Sequence, residues 1–205
     1  MVLASPQTIL GRLVVRPDRL LHRSAPEKDV LRHCWQWTSP AMGGECERED
    51  EVPTAHLMFG FLGSGKTTLA KKLELQHSAV RFTPDEWMAR LYGEDPPADA
   101  FQNRATAILD TMRPIWLRCL SLGLDVVLDY GFWSRAERDR VRAEVKGIGA
   151  TPVLWAVSCS DDEARNRIAL RNEAAHRTLY IASATFDLLK ARVEPLDMDE
   201  PHLVA

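Results

Sequence analysis

Residues 56–73, which read HLMFGFLGSGKTTLAKKL, constrain the fold of this chain more than any other stretch. Gly60, Gly65, Lys66 and Thr67 fit the pattern G-x-x-x-x-G-K-[ST]. The apolar residues before the glycines predict the end of a buried strand, and the apolar positions 69, 70 and 73 recur at helical spacing. The stretch therefore predicts a strand, a tight glycine loop and a helix in direct succession.

A loop of this kind binds phosphate, because consecutive backbone N–H groups wrap the oxygens and the positive end of the next helix faces the anion. The lysine ammonium reaches the outer phosphates and the threonine hydroxyl binds Mg²⁺. We therefore expect Lys66 to be catalytic and Thr67 to be a metal ligand. The alternative is a plain glycine turn with a solvated lysine. The expected ATP-binding residues are Gly60, Phe61, Leu62, Gly63, Ser64, Gly65, Lys66, Thr67 and Thr68.

Composition narrows the class of protein. The 205 residues suit one domain with appendages, and a hydrophobic content of 45% supports a core of ordinary size. The net charge of -3 disfavours a surface that coats nucleic acid. No apolar run reaches the ~18 residues of a membrane span. The four cysteines lack the paired spacing of a zinc or redox site, so we expect a cytoplasmic protein.

The first 53 residues differ from the rest of the chain. Residues 1–17 carry two arginines and no acid, which faintly resembles a transit peptide, and residues 38–53 are rich in Gly, Pro and Glu. We expect residues 1–53 to form a poorly ordered extension and linker, and residues 54–205 to form the domain.

From residue 54 onward, strand patterns alternate with helix patterns. This rhythm predicts an α/β fold, with a parallel sheet and helices on both faces. Three residue pairs read as capping boxes at helix starts, and one long helix should bury a regular apolar face. The capping pairs are Thr83 with Glu86, Ser134 with Glu137, and Ser160 with Glu163. The expected apolar face comprises Phe101, Ala105, Ile108, Met112, Ile115 and Cys119.

Two aspartates follow predicted strands and should converge with the glycine loop, because the carboxyl ends of parallel strands share one edge. Asp85 lies where an acceptor hydroxyl would sit, and we expect it to be a general base. Its alternative role is an acid that favours the helix dipole. Asp129 ends a hydrophobic run and is expected to bind Mg²⁺, directly or through water. Alternatively, it accepts hydrogen bonds from the loop or from the next helix.

Two arginines four residues apart, Arg167 and Arg171, share a helix face. Guanidinium groups there would stabilise the charge that spreads over a transferring phosphate, so both are candidate catalytic residues. The alternative is a solvated basic face. We expect the arginine set that comprises Arg135, Arg138, Arg140 and Arg142 to be solvated. Candidate walls of an acceptor pocket are Trp87, Arg90, Asn103 and Trp133.

Five segments resemble the P-loop kinase group in the order that these proteins show. The segments are GFLGSGKTTLAKKL, TPDEW, GLDVVLDYGFWSRAERD, ARNRIALRN and FDLLKARVEPLDMDEP. The group includes the zeta-toxin, chloramphenicol phosphotransferase and polynucleotide kinase families. The likeness is strongest to small ATP-binding proteins, predicted to be kinases, that are often labelled AAA family ATPases. It covers the chain from about residue 55 to the C-terminus.

The resemblance implies a three-layer, nucleoside-kinase-like P-loop NTPase fold and transfer of the ATP γ-phosphate to a hydroxyl. It also implies an arginine-bearing lid at about residues 162–177, in which Arg167 or Arg171 acts. Asp85 matches the acid on the acceptor side, and Glu194 and Pro195 would border the adenine. The stretch EAAHRTLY departs from the family pattern, since it lacks the further arginines of some relatives.

The leading hypothesis is a phosphotransferase that uses Mg²⁺ and ATP and acts on a small hydroxylated acceptor. Its alternative is an ATP-dependent binding switch or weak NTPase without kinase activity. A nucleic-acid 5′-end kinase is disfavoured by the acidic charge balance. The acceptor and the oligomeric state stay open at this point.

Overall fold

The structure is a computed structural model, and it describes residues 52–173 and 179–205. The predicted extension, residues 1–53, lies almost wholly outside the described residues, as does the end of the predicted lid. The described strands are β1 (Thr54–Phe59), β2 (Val80–Phe82), β3 (Val126–Gly131), β4 (Thr151–Ala156) and β5 (Leu203–Val204). The described helices are α1 (Lys66–Gln76), α2 (Pro84–Tyr92), α3 (Ala98–Ser121), α4 (Arg135–Gly147), α5 (Asp161–Glu173) and α6 (Ser183–Lys190).

The five strands form one sheet in the order β2-β3-β1-β4-β5, and every neighbouring pair is parallel. The strand that carries the glycine loop, β1, therefore lies at the centre between β3 and β4. The loops that follow these strands meet at one edge of the sheet. This arrangement confirms the predicted α/β fold with a parallel sheet.

Helices cover both faces of the sheet, because successive side chains of a strand point to opposite sides. Leu57 and Leu128 pack into the larger core, which also takes in apolar residues of α3 and α4. Met58 and Val127 point the other way and pack with Leu73 of α1 in a second core. The three layers expected from the sequence are present.

The long helix α3 buries the centre of the predicted face, Ile108 and Met112, and Ala105 and Cys119 pack against the core, but the rest of the face departs from the prediction. Its buried residues are Ile108, Met112, Trp116 and Leu120. The predicted members Phe101 and Ile115 are exposed. The buried residues are four positions apart, whereas a helix has 3.6 residues per turn. The line of buried side chains therefore winds slowly around the helix axis.

Two of the three predicted capping boxes supply their N-cap hydrogen bond. The backbone N–H of Glu137 donates to Ser134 Oγ at 3.2 Å, and that of Glu163 donates to Ser160 Oγ at 3.3 Å. The prediction of a capping box at Thr83 is wrong, although α2 does begin at the next residue. The Thr83 side chain caps nothing, because its hydroxyl contacts Arg81 instead.

The arginines of α4 were expected to be solvated, and this is wrong for two of them. Arg138 is fully buried and donates to Glu200 at 2.8 and 2.7 Å. Arg142 also donates to Glu200, at 2.8 Å. Arg140 is exposed as predicted. A carboxylate far along the chain decides the difference, since a buried arginine needs a partner.

Among the described helices, none has both the length and the apolar character needed to cross a membrane.

Candidate functional site

The glycine loop turns sharply from β1 into α1. Gly63 and Gly65 have φ values of 74° and 105°, a region that L side chains rarely adopt. A Cβ atom at Gly60 would lie 2.3 Å from the carbonyl oxygen of Val157, and one at Gly63 would lie 2.7 Å from that of Ala164. Side chains are therefore excluded where the loop passes the segment after β4 and the helix α5.

Lys66 is the first residue of α1 and is half-buried at the loop. Its Nζ donates to the carbonyl oxygen of Phe61 at 2.7 Å, within the loop itself. Desolvation lowers the pKa of Lys66, whereas the nearby carboxylates of Asp129 and Asp85 act to raise it. The ammonium group thus lies within electrostatic reach of both predicted acids.

Asp129 lies near the end of β3, and its side chain is almost completely buried. Burial raises the pKa of this carboxyl, while the Thr67 hydroxyl and Lys66 act to lower it. Oδ2 has no hydrogen-bond partner among the described residues. A buried carboxylate oxygen without a partner is costly, so the site fits a hard cation that prefers oxygen ligands, such as Mg²⁺.

Asp85 lies in the first turn of α2, where solvent reaches the residue although protein atoms surround its carboxyl group. Desolvation by the surrounding protein raises its pKa, and the charges of Lys66 and Arg171 act to lower it. Lys66 acts on the pKa of both acids, and Asp85 acts on that of Asp129, so the three groups lie close together. The predicted convergence of the two acids with the glycine loop is therefore present in the structure. Their chemical roles remain predictions.

The two candidate arginines of α5 lie near the glycine loop and the predicted acids in different ways. Arg167 Nη1 donates to the carbonyl oxygens of Gly63 and Ser64 at 3.2 and 3.3 Å, and its Nη2 contacts Glu163. Arg171 is close enough to influence Lys66 and Asp85. Its Nε is buried and has no partner among the described residues. Arg167 thus contacts the loop backbone, and Arg171 lies within electrostatic reach of Lys66 and Asp85. Residues 174–178 of the predicted lid lie outside the described residues.

Trp133 contacts the glycine loop, which the sequence pattern did not indicate. Its Nε1 donates to the carbonyl oxygen of Gly60 at 3.0 Å, and its ring centroid lies 5.7 Å from that of Phe61. Phe61 in turn packs edge-on against Phe186 of α6. Trp133 therefore supports the glycine loop, and its predicted role as a wall of the acceptor pocket is not tested.

Sequence reasoning also missed Arg81, in the middle of β2. Its guanidinium contacts Glu74 and Glu86 and lies 4.0 Å from Asp129 Oδ2. The signal was available, because a charged residue between two apolar ones in a short strand is unusual unless it has partners.

A family model described as an AAA domain matches residues 56–196, which run from β1 to the segment after α6. This match covers more than half of the chain. The chain belongs to this family. A comparison with curated proteins found no match.

Solved structures share the fold of this family member. A presumed kinase from Chloroflexus aurantiacus is 18% identical, with a TM-score of 0.59 over 75% of this chain and 88% of that chain. Kti12 from Chaetomium thermophilum, solved with ADP-AlF3, is 19% identical, with a TM-score of 0.56 over 74% and 88%. A sugar kinase from a Janibacter species is 17% identical, with a TM-score of 0.52 over 75% and 84%. The chain has the fold of these P-loop kinase-like structures, which confirms the resemblance seen in the sequence.

Proposed function

We propose that this protein is a phosphotransferase that uses Mg²⁺ and ATP and moves the γ-phosphate to a hydroxyl of a small acceptor. The observation that supports the proposal best is the buried carboxylate of Asp129 beside Lys66 and the glycine loop, because one of its oxygens has no hydrogen-bond partner in the described part of the chain. Phosphoryl transfer requires a phosphate-binding loop next to groups that can hold a cation, and this arrangement supports the proposal.

The loop residues and α1 would hold the nucleotide. Backbone N–H groups of residues 60–68 bind phosphate oxygens, and Lys66 exchanges its contact with the Phe61 carbonyl for the outer phosphates. Thr67 and Asp129 would hold Mg²⁺, which supplies charge neutralisation when it is bound. The Nη1 group of Arg167 keeps the loop backbone in place through two carbonyls.

Asp85 would act on the acceptor. The new bond forms between the acceptor oxygen and the γ-phosphorus, the bond to the oxygen of ADP breaks, and the hydroxyl proton passes to Asp85. The pKa of Asp85 is raised above its ordinary value, which favours a carboxylate that takes up a proton. Arg171 lies near Asp85 and Lys66 and would stabilise the transferring phosphate.

The proposal also covers the domain that carries the site, the class of acceptor and the cellular location. Residues 54–205 would carry the activity, and the described part of the predicted lid, residues 162–173, would cover the nucleotide. The acceptor is a small molecule, because the acidic net charge disfavours a nucleic-acid surface. The protein works in the cytoplasm, in keeping with cysteines that show no paired spacing.

Replacing Asp85 with Asn tests the proposal. Asp85→Asn should bind Mg·ATP with unchanged affinity but lose transfer to the acceptor, because only the proton acceptor is removed. Binding is measured by titration calorimetry, and transfer is measured by ADP release over a panel of hydroxylated metabolites. Asp99→Asn is the matched control, since Asp99 is an exposed aspartate in the first turn of α3.

The outcomes separate the proposal from its alternatives. Unchanged turnover in Asp85→Asn removes Asp85 from its role. ATP binding without phosphorylation of any panel member favours the binding switch or weak NTPase. Competition by short oligonucleotides favours a 5′-end kinase.

A further inference from the structure

Arg81 joins three elements that meet beside the proposed site. Its side chain is only 12% exposed. Nε donates to Glu74 of α1 at 2.9 Å. Nη1 and Nη2 donate to the two carboxylate oxygens of Glu86 in α2, at 3.1 and 3.2 Å. A two-pronged arginine–carboxylate pair fixes orientation as well as distance, so this guanidinium sets where the first turn of α2 lies relative to β2.

The residue next to Glu86 is Asp85, the proposed general base. Adjacent residues in a helical turn move together, because the intervening peptide bond is rigid. The Arg81 guanidinium also contacts the hydroxyl of Thr83, the N-cap residue of α2. Two residues that flank Asp85 in the chain are thus held by one side chain from β2.

The same guanidinium faces Asp129 without hydrogen-bonding to it. Nη1 lies 4.0 Å from Asp129 Oδ2, which is outside hydrogen-bond range. The N–H groups of Arg81 are engaged by Glu74, Glu86 and Thr83. This engagement explains how Asp129 Oδ2 stays free of a hydrogen bond although a cation lies beside it.

We propose that Arg81 is a positioning residue that holds the α2 first turn, and with it Asp85, in register with Asp129 and the glycine loop. The inference rests on the proposed function, because it assigns Arg81 a place in the same site. Arg81 touches no reacting atom and acts through Glu86 and Thr83. A misplacement of a reacting group by about 1 Å can cost about 100-fold in rate.

The test compares Arg81→Met, Arg81→Lys and Glu86→Gln with the wild type. The reaction measured is ADP release from Mg·ATP with water as the acceptor, and binding is measured separately with AMPPNP and Mg²⁺. We expect kcat to fall by about 10- to 100-fold in Arg81→Met, with unchanged analogue affinity. Arg81→Lys should not restore the rate, since an ammonium cannot replace the two-pronged contact. Glu86→Gln should lower kcat in the same direction, and its effect should not add to that of Arg81→Met.

The matched control is Arg113→Met. Arg113 makes a similar arginine–glutamate pair with Glu144, at 3.0 Å between α3 and α4, in an exposed position. This variant should keep the wild-type kcat. Amide hydrogen exchange in residues 85–88 gives a readout other than activity. We expect faster exchange there in Arg81→Met and no change in Arg113→Met.

Wild-type kcat in Arg81→Met, or a parallel loss of analogue affinity and rate, would overturn the inference. If Arg81→Met does not fold, Glu86→Gln decides by the same criteria. If the wild type binds the analogue but releases no ADP with water or with any member of the acceptor panel, the proposed function fails. The positioning role then stands or falls on hydrogen exchange in residues 85–88.

Discussion

His56 is a buried titratable residue outside the candidate site. It lies inside β1 and is 3% exposed. Trp155 Nε1 donates to its Nδ1 at 3.2 Å, so the proton of the neutral ring is on Nε2. Burial and then the neighbouring His77 lower the pKa of His56 to about 4, against an opposing effect of Asp125. The residue is therefore neutral in the folded protein near neutral pH.

His56, His77 and Asp125 each place one ligand atom within 4.8 Å of the others. A neutral imidazole has a single free lone pair, and Trp155 uses that of His56. We therefore interpret these residues as a polar cluster at the start of the sheet, and we do not propose a metal site.

The lowered pKa of His56 predicts that the folded protein loses stability in acid. Its pKa is about 4 when folded against 6.5 when unfolded, so below pH 6.5 the unfolded chain binds the proton more readily. The stability that depends on the neutral His56 ring is fully present above pH 6.5 and is lost as the pH falls toward 4. Between pH 7 and 4 the free energy of unfolding of the wild type should fall by about 3 kcal/mol more than that of His56→Gln.

The measurement is urea unfolding at a series of pH values. His202→Gln, which changes an exposed histidine, should keep the wild-type pH dependence. Equal pH dependence in His56→Gln and the wild type would contradict the assignment.

At the scale of elements, a buried ion pair ties helix α4 to the segment that follows α6. Arg138 donates to both oxygens of Glu200 and also to the carbonyl oxygens of Phe132 and Pro195, each at 3.1 Å. Hydrogen bonds from Arg138 lower the pKa of Glu200 to about 2, although its burial acts in the opposite direction. One guanidinium therefore joins the loop after β3, helix α4 and the C-terminal segment.

Breaking this pair should be costly. Arg138→Met leaves a buried carboxylate without its main partner, and the free energy of unfolding should fall by about 3–5 kcal/mol. Chemical denaturation at pH 7 measures the change. Arg140→Met, on the exposed side of the same helix, should change stability by no more than about 0.5 kcal/mol. A small effect of Arg138→Met, similar to that of Arg140→Met, would argue against the buried pair.

At the scale of the whole molecule, the proposed nucleotide site should couple to global stability. A ligand that binds only the folded state at about 100 times its Kd adds about 2.7 kcal/mol to the free energy of unfolding. Mg·ATP should therefore raise Tm by several degrees. Lys66→Met should abolish the shift. Lys72→Met, an exposed lysine on the same helix, should keep it. Thermal melts with and without Mg·ATP measure this change in Tm. An unchanged Tm in the wild type would contradict nucleotide binding.

The fold and the approach of the candidate residues to one another could be predicted from local patterns. The glycine loop, the strand that precedes it and the helix after it are adjacent in the chain. The approach of Asp85 and Asp129 follows from the same logic, since Asp85 comes just after β2, Asp129 lies near the end of β3, and a parallel sheet brings those ends together. Their roles in catalysis remain predictions.

What the local pattern could not decide depends on residues far apart in the chain. Trp133 meets Gly60 across 73 positions, and Arg138 meets Glu200 across 62. For these contacts, helical or strand periodicity carries no information. The buried face of α3 likewise depends on how that helix lies across the sheet.

The sequence by itself determined the α/β class, the position of the glycine loop and the edge of the sheet where the acids converge, because these follow from periodicity and chain direction. Only the tertiary structure decided that Arg138 is buried, that Thr83 does not cap α2 and that Arg81 faces Asp129. The physical reason is that the burial of a charge is decided by its partner, and here those partners come from other elements of the fold.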